Sequence, residues 1–404
     1  LQRREQPLLN CDDDALRGAN AYRGRTDLDG LKCPYCDFNS HVADDIDTKS
    51  WQRALLTDLE RQAEKAYQQL QSGPRQIRLK SVFFGGGTPS LMPPAIIETL
   101  LNKAADLFVL DPKIEITAEA NPTSAETAKL KGFYGAGINR LSLGIQSLRE
   151  NGLQFLGREH SAKDALTALE EAAKLFPRWS ADLIYGLPNQ SEEDWHAQLE
   201  EITSRGPAHL SCYQLTIEPG TQFYTRDKKG ERLTGDADNI ADLYLLTEKV
   251  LKEKGLVAYE VSNYAKPGEA SQHNLNYWQT GNWLGIGPGA HGRLTTKKGR
   301  YNRINRRSPS GWLESVNTAE GGMDTDAIEA PRDYFNEYWM MGLRLTNGVV
   351  WPEIGRFGDT SLQLNPNWLE AFIKEGWLDA NDAGLSATLE GRLRLDTLLS
   401  HLLD

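Results

Sequence analysis

Val82-Phe83-Phe84-Gly85-Gly86-Gly87-Thr88-Pro89-Ser90 is a β-branched and aromatic run that ends abruptly on glycine. It reads as a strand followed by a loop. The same unit recurs outward from it. Apolar residues at helical spacing run from Pro93 to Leu110, and Ile114–Thr117 reads as the next strand. Ser124 caps a helix expected to reach Tyr134. Arg140–Leu143, Ala181–Tyr185 and His209–Thr216 follow as strands, with helices over Asp164–Phe176 and Glu192–Thr203. This alternation implies an α/β fold with parallel strands joined by right-handed crossovers. The strands read as near-continuous apolar runs, as expected of a sheet covered by helices. Polar and glycine-rich residues gather directly after them, at Gly85–Thr88, Glu119–Pro122, Gly144–Ser147 and Gly186–Pro188. In a barrel or an open α/β sheet, those strand ends carry the site.

Beyond about residue 225 the pattern changes. Ile240–Lys254 is an amphipathic helix, 262–310 is rich in Gly, Asn and aromatics with few helical signals, and two or three helices return from Pro331. Gly376–Leu378 opens a small wing before a helix over Leu389–Leu403, so the tail is expected to be α+β and winged-helix-like. The expected divisions are 1–31, an atypical leading segment, then 32–235 and 236–404. A net charge of -11 with no long basic run argues against general nucleic-acid binding through phosphate neutralisation. No apolar stretch reaches transmembrane length, and residues 1–30 hold no signal-peptide core. A cytoplasmic location is the default expectation.

Four cysteines, Cys11, Cys33, Cys36 and Cys212, are too few for a disulfide scaffold in a chain of this size. The close pair in Lys32-Cys33-Pro34-Tyr35-Cys36-Asp37-Phe38-Asn39-Ser40-His41 points to metal or redox chemistry. A zinc site would need two further ligands, and no second cysteine pair exists. A thioredoxin-like motif would follow a strand, and no strand pattern precedes Lys32. The glycine loop after Phe84 is not followed by Lys-Ser or Lys-Thr, which argues against a phosphate loop. Its missing side chains let backbone approach a ligand closely.

Cys33-Pro34-Tyr35-Cys36-Asp37-Phe38-Asn39-Ser40 resembles the tail of the cluster motif of the radical S-adenosylmethionine (SAM) family that includes heme chaperones and oxygen-independent coproporphyrinogen III oxidases. The resemblance implies a partial (β/α)6 TIM-like barrel. It also implies a 4Fe-4S cluster held by three cysteine thiolates, with SAM chelating the fourth iron and being cleaved to a 5′-deoxyadenosyl radical. Cys33 and Cys36 match the second and third ligands. The first falls on Asp29, and Ala15–Leu31 has no strand pattern, so the first barrel strand and one ligand are missing together. A frame or gene-model change upstream of Leu31 would remove both at once. Degeneration, or recruitment of Cys11 or Asp29 as a ligand, are the alternatives in that order.

The same resemblance assigns the strand ends. Gly86, Gly87 and Thr88 would hold the SAM ammonium group. Glu119 would accept the ribose hydroxyls, a task that suits a carboxylate, although it could instead cap the helix after Asn121. Gln146 and Asp182 fall at further strand ends of the SAM site. Arg158, in Leu156-Gly157-Arg158-Glu159-His160, would face the SAM carboxylate, where a lone arginine is otherwise a solvated surface residue.

Phe38 stands where the oxidase branch has a further cysteine. Together with Tyr213–Thr221 and Met340-Met341-Gly342-Leu343-Arg344-Leu345, it resembles the heme-chaperone branch. His273-Asn274-Leu275-Asn276-Tyr277-Trp278 resembles that branch's heme motif. It suggests His273, ahead of His291, as axial ligand, with Tyr277 and Trp278 as flat apolar surface. A core histidine packed by aromatics is the alternative. The expected function is a heme chaperone that carries a SAM-ligated 4Fe-4S cluster and passes heme to a respiratory acceptor. The acceptor protein and the electron donor are unidentified, and any membrane association would be peripheral, through the acceptor. Coproporphyrinogen III oxidation, or a cluster-deficient inactive homologue, are the competing readings.

Overall fold

The computed structural model describes residues 33–37, 47–86, 89–319 and 321–404. The expectations for the leading segment, including Cys11, Asp29 and the missing strand, lie outside the described residues. Helix α1 (Thr48–Leu70) opens on Asp47, whose carboxylate accepts the amides of Lys49 and Ser50. Strand β1 (Arg78–Phe84), α2 (Pro94–Leu107) and β2 (Val109–Ala120) follow. The single helix expected over Ser124–Tyr134 is two, α3 (Ser124–Thr127) and α4 (Leu130–Gly135). A three-residue bond from the Lys129 amide to the Glu126 carbonyl tightens the junction and ends the first turn. The series continues as β3 (Arg140–Gln146), α5 (Glu150–Phe155), α6 (Ala162–Leu175), β4 (Arg178–Tyr185), α7 (Glu192–Thr203), β5 (His209–Gln214), α8 (Gln222–Asp227) and α9 (Ala237–Glu253).

Strands β1 to β5 are parallel and lie side by side in chain order. Two short strands, β6 (Val257–Ala258) and β7 (Asn263–Ala265), extend the sheet beyond β5 in antiparallel sense. The result is a seven-stranded half-barrel whose sheet continues past residue 235.

The strands are not uniformly apolar, contrary to the expectation from sequence. Ile116, Ala118, Leu141, Leu143, Ala181, Leu183, Leu210 and Cys212 pack in one core with the helices. Their alternating neighbours are Glu115, Thr117 and Glu119 on β2, Arg140 and Ser142 on β3, Ser180 and Asp182 on β4, and His209 and Ser211 on β5. In-register pairing aligns these polar residues on the opposite, inner face. The crossover helices pack on the outer side alone, so the period of two survives on the inner one.

Helix α10 (Gln272–Trp278) lies against that inner face and contacts β1. Glu115, fully buried, accepts the amides of Gln272 and His273 at 3.2 and 3.1 Å and the Ser271 hydroxyl at 3.2 Å. The same carboxylate lies 3.0 Å from Arg178 and 3.9 Å from Arg140. On the far side, the Asn274 amide reaches the Tyr259 hydroxyl, which bonds His209 at 2.9 Å. His209 closes on Ser180 at 2.7 Å, and burial keeps its ring neutral, with a pKa well below the ordinary value.

The stretch expected to be poor in helix thus holds α10. It also holds the hairpin β8 (His291–Thr296) and β9 (Gly299–Asn305), which continues through α11 (Pro309–Ser315) into β10 (Met323–Ile328). Asp58 of α1 ties this region down by accepting the Gly287 amide and the Asn305 side chain, each at 2.9 Å. A second core is built from α12 (Pro331–Gly342), β11 (Val349–Val350), α13 (Pro366–Lys374), β12 (Leu378–Ala380), β13 (Gly384–Ala387) and, after the short α14 (Leu389–Arg392), α15 (Leu395–Leu402). Its small sheet runs β11-β13-β12, giving the winged-helix-like α+β tail. The single helix expected over Leu389–Leu403 breaks at Arg394, whose backbone leaves the helical region at φ -122° and ψ 18°. The two cores are tied by ion pairs from Arg344 to Glu260 at 3.1 Å and from Arg300 to Glu337 at 2.7 Å. Among the described residues, no helix is long and apolar enough to cross a membrane.

Candidate functional site at the strand ends

The Cys33–Cys36 turn is closed by a 3.0 Å bond from the Cys36 amide to the Cys33 carbonyl. It is docked from two sides. The Phe223 amide, in α8, donates to the Pro34 carbonyl at 2.9 Å, and Tyr35 packs near the Phe223 ring. On the other side Gly157 has φ +63°, and a Cβ there would fall 2.6 Å from the Pro34 ring, so a side chain would push the turn away.

Arg158 sits where this turn meets the barrel rim. Its guanidinium lies 3.6 Å from the Cys33 sulfur, 2.6 Å from Asn121 Oδ1 and 3.1 Å from the Gly144 carbonyl. Burial works against its charge, but Tyr35, Cys33 and their hydrogen bonds outweigh it, and the pKa rises above the ordinary arginine value. Neighbouring His160, buried and bonded to the Ile145 carbonyl at 3.1 Å, is pushed down to about 4 by burial first and by Arg158 second. The rim therefore holds one fixed positive charge beside a neutral imidazole at neutral pH.

Glu119, at the end of β2, does not cap the helix after Asn121, because Thr123 does that. Instead it accepts the Gly86 amide at 3.2 Å, which brings the end of β1 to the end of β2. Gly87 and Thr88 lie outside the described residues. Gln146 ends β3 with φ +65°, an uncommon conformation for a side-chain-bearing residue. It is fixed by a tight turn from the Ser147 amide to the Ile145 carbonyl at 2.8 Å. A Cβ on Gly144 would fall 2.9 Å from the Gln146 amide nitrogen and 3.6 Å from Arg158. Gly86, Glu119, Gln146, Arg158 and the Cys33 turn are thus brought together. Asp182 lies on the same inner face, deeper along β4. Both its oxygens accept the Ser142 hydroxyl at 3.1 Å, and burial raises its pKa.

His273 belongs elsewhere. It is 1% exposed inside the half-barrel, stacked on Phe83 with ring centres 4.1 Å apart and edge-on to Tyr277 at 4.8 Å. Tyr277 and Trp278 are buried as well. His291, which begins β8, and the Met340–Met341 pair are half-buried. Cys212 is a buried thiol in β5, and burial pushes its pKa up.

Sequence reasoning missed Glu115, Arg140, Arg178 and Glu126. The first three were signalled by polar residues recurring every second position in otherwise apolar strands. Glu126 carried no signal beyond its place in the first turn of a helix.

The sequence model of the radical SAM superfamily matches residues 30–202, and that of the HemN C-terminal domain matches 330–394. A mouse protein named radical S-adenosyl methionine domain-containing protein 1, mitochondrial, is 38% identical over 92% of this chain and 84% of its own length. A Haemophilus influenzae protein named heme chaperone HemW is 37% identical over 91% of this chain and 94% of its own length. The solved structure of coproporphyrinogen III oxidase (HemN) from Escherichia coli superposes with a TM-score of 0.72 at 19% identity, covering 92% of this chain and 87% of that one. At that identity the likeness shows the fold alone.

Proposed function

Because the chain belongs to the HemW-like branch of the radical SAM superfamily, we propose that it binds SAM at the rim of its half-barrel and acts as a heme-binding, heme-transferring protein. The observation that carries the SAM assignment is the junction at Arg158, where the ends of β2 and β3 meet the cysteine turn. The residues present suit such a ligand. Gly86 turns at φ +86°, Glu119 offers a carboxylate to a ribose diol, and Arg158 offers a planar cation to a carboxylate. By the family resemblance Gly87 and Thr88 would hold the ammonium group with Gly86, and Gln146 and Asp182, on the inner face, would complete the site. With a reduced 4Fe-4S cluster, bound SAM supplies a 5′-deoxyadenosyl radical.

Cys33 and Cys36 would give that cluster two thiolates, and among the described residues no group of three metal ligands converges. The remaining ligand, first in the motif, falls on Asp29. After anaerobic reconstitution with iron and sulfide, Asp29→Cys is expected to carry more iron and more visible absorbance than the chain as written. Equal iron in the two would show that position 29 is not the missing ligand.

The heme role rests on the names of the relatives and on His273 within its motif. Since His273 is enclosed by Phe83 and Tyr277, heme could reach it only if α10 moves. In a heme titration followed by absorbance, His273→Ala is expected to lose the bound-heme spectrum while keeping its thermal midpoint well above the assay temperature. A full spectrum in the variant would remove His273 as ligand. The functional division proposed is 32–235 for the parallel strands and crossover helices of the barrel and 236–404 for the C-terminal region, which adds the antiparallel edge strands. The compartment is a reducing one, the cytoplasm on compositional grounds. The alternative is the mitochondrial address in the names of the mouse and bovine relatives.

A further inference from the structure

Behind Arg158 runs a line of polar groups, buried or half-buried, with no role in the assignments above. Ser90, just after the glycine loop, is fully buried, and Glu126 of α3 is 7% exposed. The Ser90 hydroxyl donates to Glu126 Oε2. The Asn121 backbone amide donates to the same oxygen at 2.8 Å, and Asn121 Nδ2 donates to Oε1 at 3.2 Å. Asn121 Oδ1 then faces Arg158 Nη2 at 2.6 Å, and Arg158 Nη1 faces the Cys33 sulfur. Only one orientation of the Asn121 amide satisfies both neighbours. An ionised carboxylate has no hydrogen to give and a guanidinium has no lone pair to offer, so the NH2 must face Glu126 and the oxygen must face Arg158.

We propose that Glu126 and Asn121 are positioning residues that hold Arg158 in its ligand-facing pose. Glu126 fixes the amide, the amide fixes the guanidinium, and the long arginine side chain is ordered before any ligand arrives. The line also joins the end of the glycine loop to the cysteine turn, so two halves of the site share one rigid connection. The proposal rests on the reading of Arg158 as the partner of the nucleoside's carboxylate.

Calorimetric titration with S-adenosylhomocysteine tests it in wild type, Asn121→Ala, Arg158→Ala and the double variant. Asn121→Ala is expected to weaken binding about tenfold, the worth of one hydrogen bond to a charged group. The double variant is expected to bind no more weakly than Arg158→Ala alone, because Asn121 acts only through Arg158. Losses that multiply, or an Asn121→Ala affinity equal to wild type while Arg158→Ala is impaired, would overturn the positioning role alone. If wild type fails to bind, or Arg158→Ala binds as wild type does, the SAM assignment of Arg158 falls and this proposal falls with it. Should Asn121→Ala melt below the assay temperature, Glu126→Gln carries the same comparison. It keeps the shape of the side chain but removes one acceptor, and its loss must likewise vanish in the Arg158→Ala background.

Discussion

Replacing Glu115 by alanine is expected to lower the unfolding free energy by about 3–5 kcal/mol, the range for removing one partner of a buried ion pair. Glu115 is fully buried between Arg140 and Arg178 and accepts three further hydrogen bonds from the start of α10. Its removal leaves buried Arg140 without its carboxylate, while Arg178, a quarter exposed, keeps Glu269 at 2.8 Å, and it strips the acceptor from two backbone amides. Chemical denaturation followed by circular dichroism measures the loss. Glu115→Gln, which keeps one acceptor oxygen and loses the charge, is expected to fall between wild type and alanine. A change under about 1 kcal/mol for alanine would mean that water re-solvates the arginines and that the inner face is open to solvent.

Glu119→Gln is expected to weaken S-adenosylhomocysteine about ten- to a hundredfold with little change in thermal midpoint. A hydrogen bond to a charged group contributes about 1.5–3 kcal/mol, and glutamine exchanges one acceptor oxygen for a donor. The amide oxygen can still take the Gly86 amide, so the junction of β1 and β2 survives. Equilibrium dialysis at fixed protein concentration reads the affinity directly. Unchanged binding with an unchanged melting curve would assign Glu119 to the strand-end turn alone and move the ribose elsewhere.

The order of strands and helices was legible because each crossover repeats a short apolar run, a polar end and an amphipathic helix. What was misread was the inner face. Glu115-Ile116-Thr117-Ala118-Glu119 alternates strictly, and that pattern reports a sheet with one polar side. Reading it as a run covered on both sides hid the Glu115–Arg140–Arg178 set. Of the candidate site, the meeting of Glu119 and Arg158 at the rim was legible from their place at a strand end and in a motif. Asn121 and Glu126 were not, because their work depends on which end of an amide faces which neighbour, and that is decided only in three dimensions. The break between α3 and α4 was hidden for a related reason: the propensity of Ser124–Tyr134 favours one helix, and a local bond at Lys129 overrides it.

The seating of α10 has a consequence in time rather than in space. Three donors from its first turn converge on one carboxylate, and its second residue is the histidine stacked on Phe83. Anything that draws the imidazole outward must first strip Glu115 of those donors, so a tetrapyrrole would wait on a rare opening of the protein. Uptake would then run at the clock of that opening: beyond a modest concentration, adding more pigment would not make it faster.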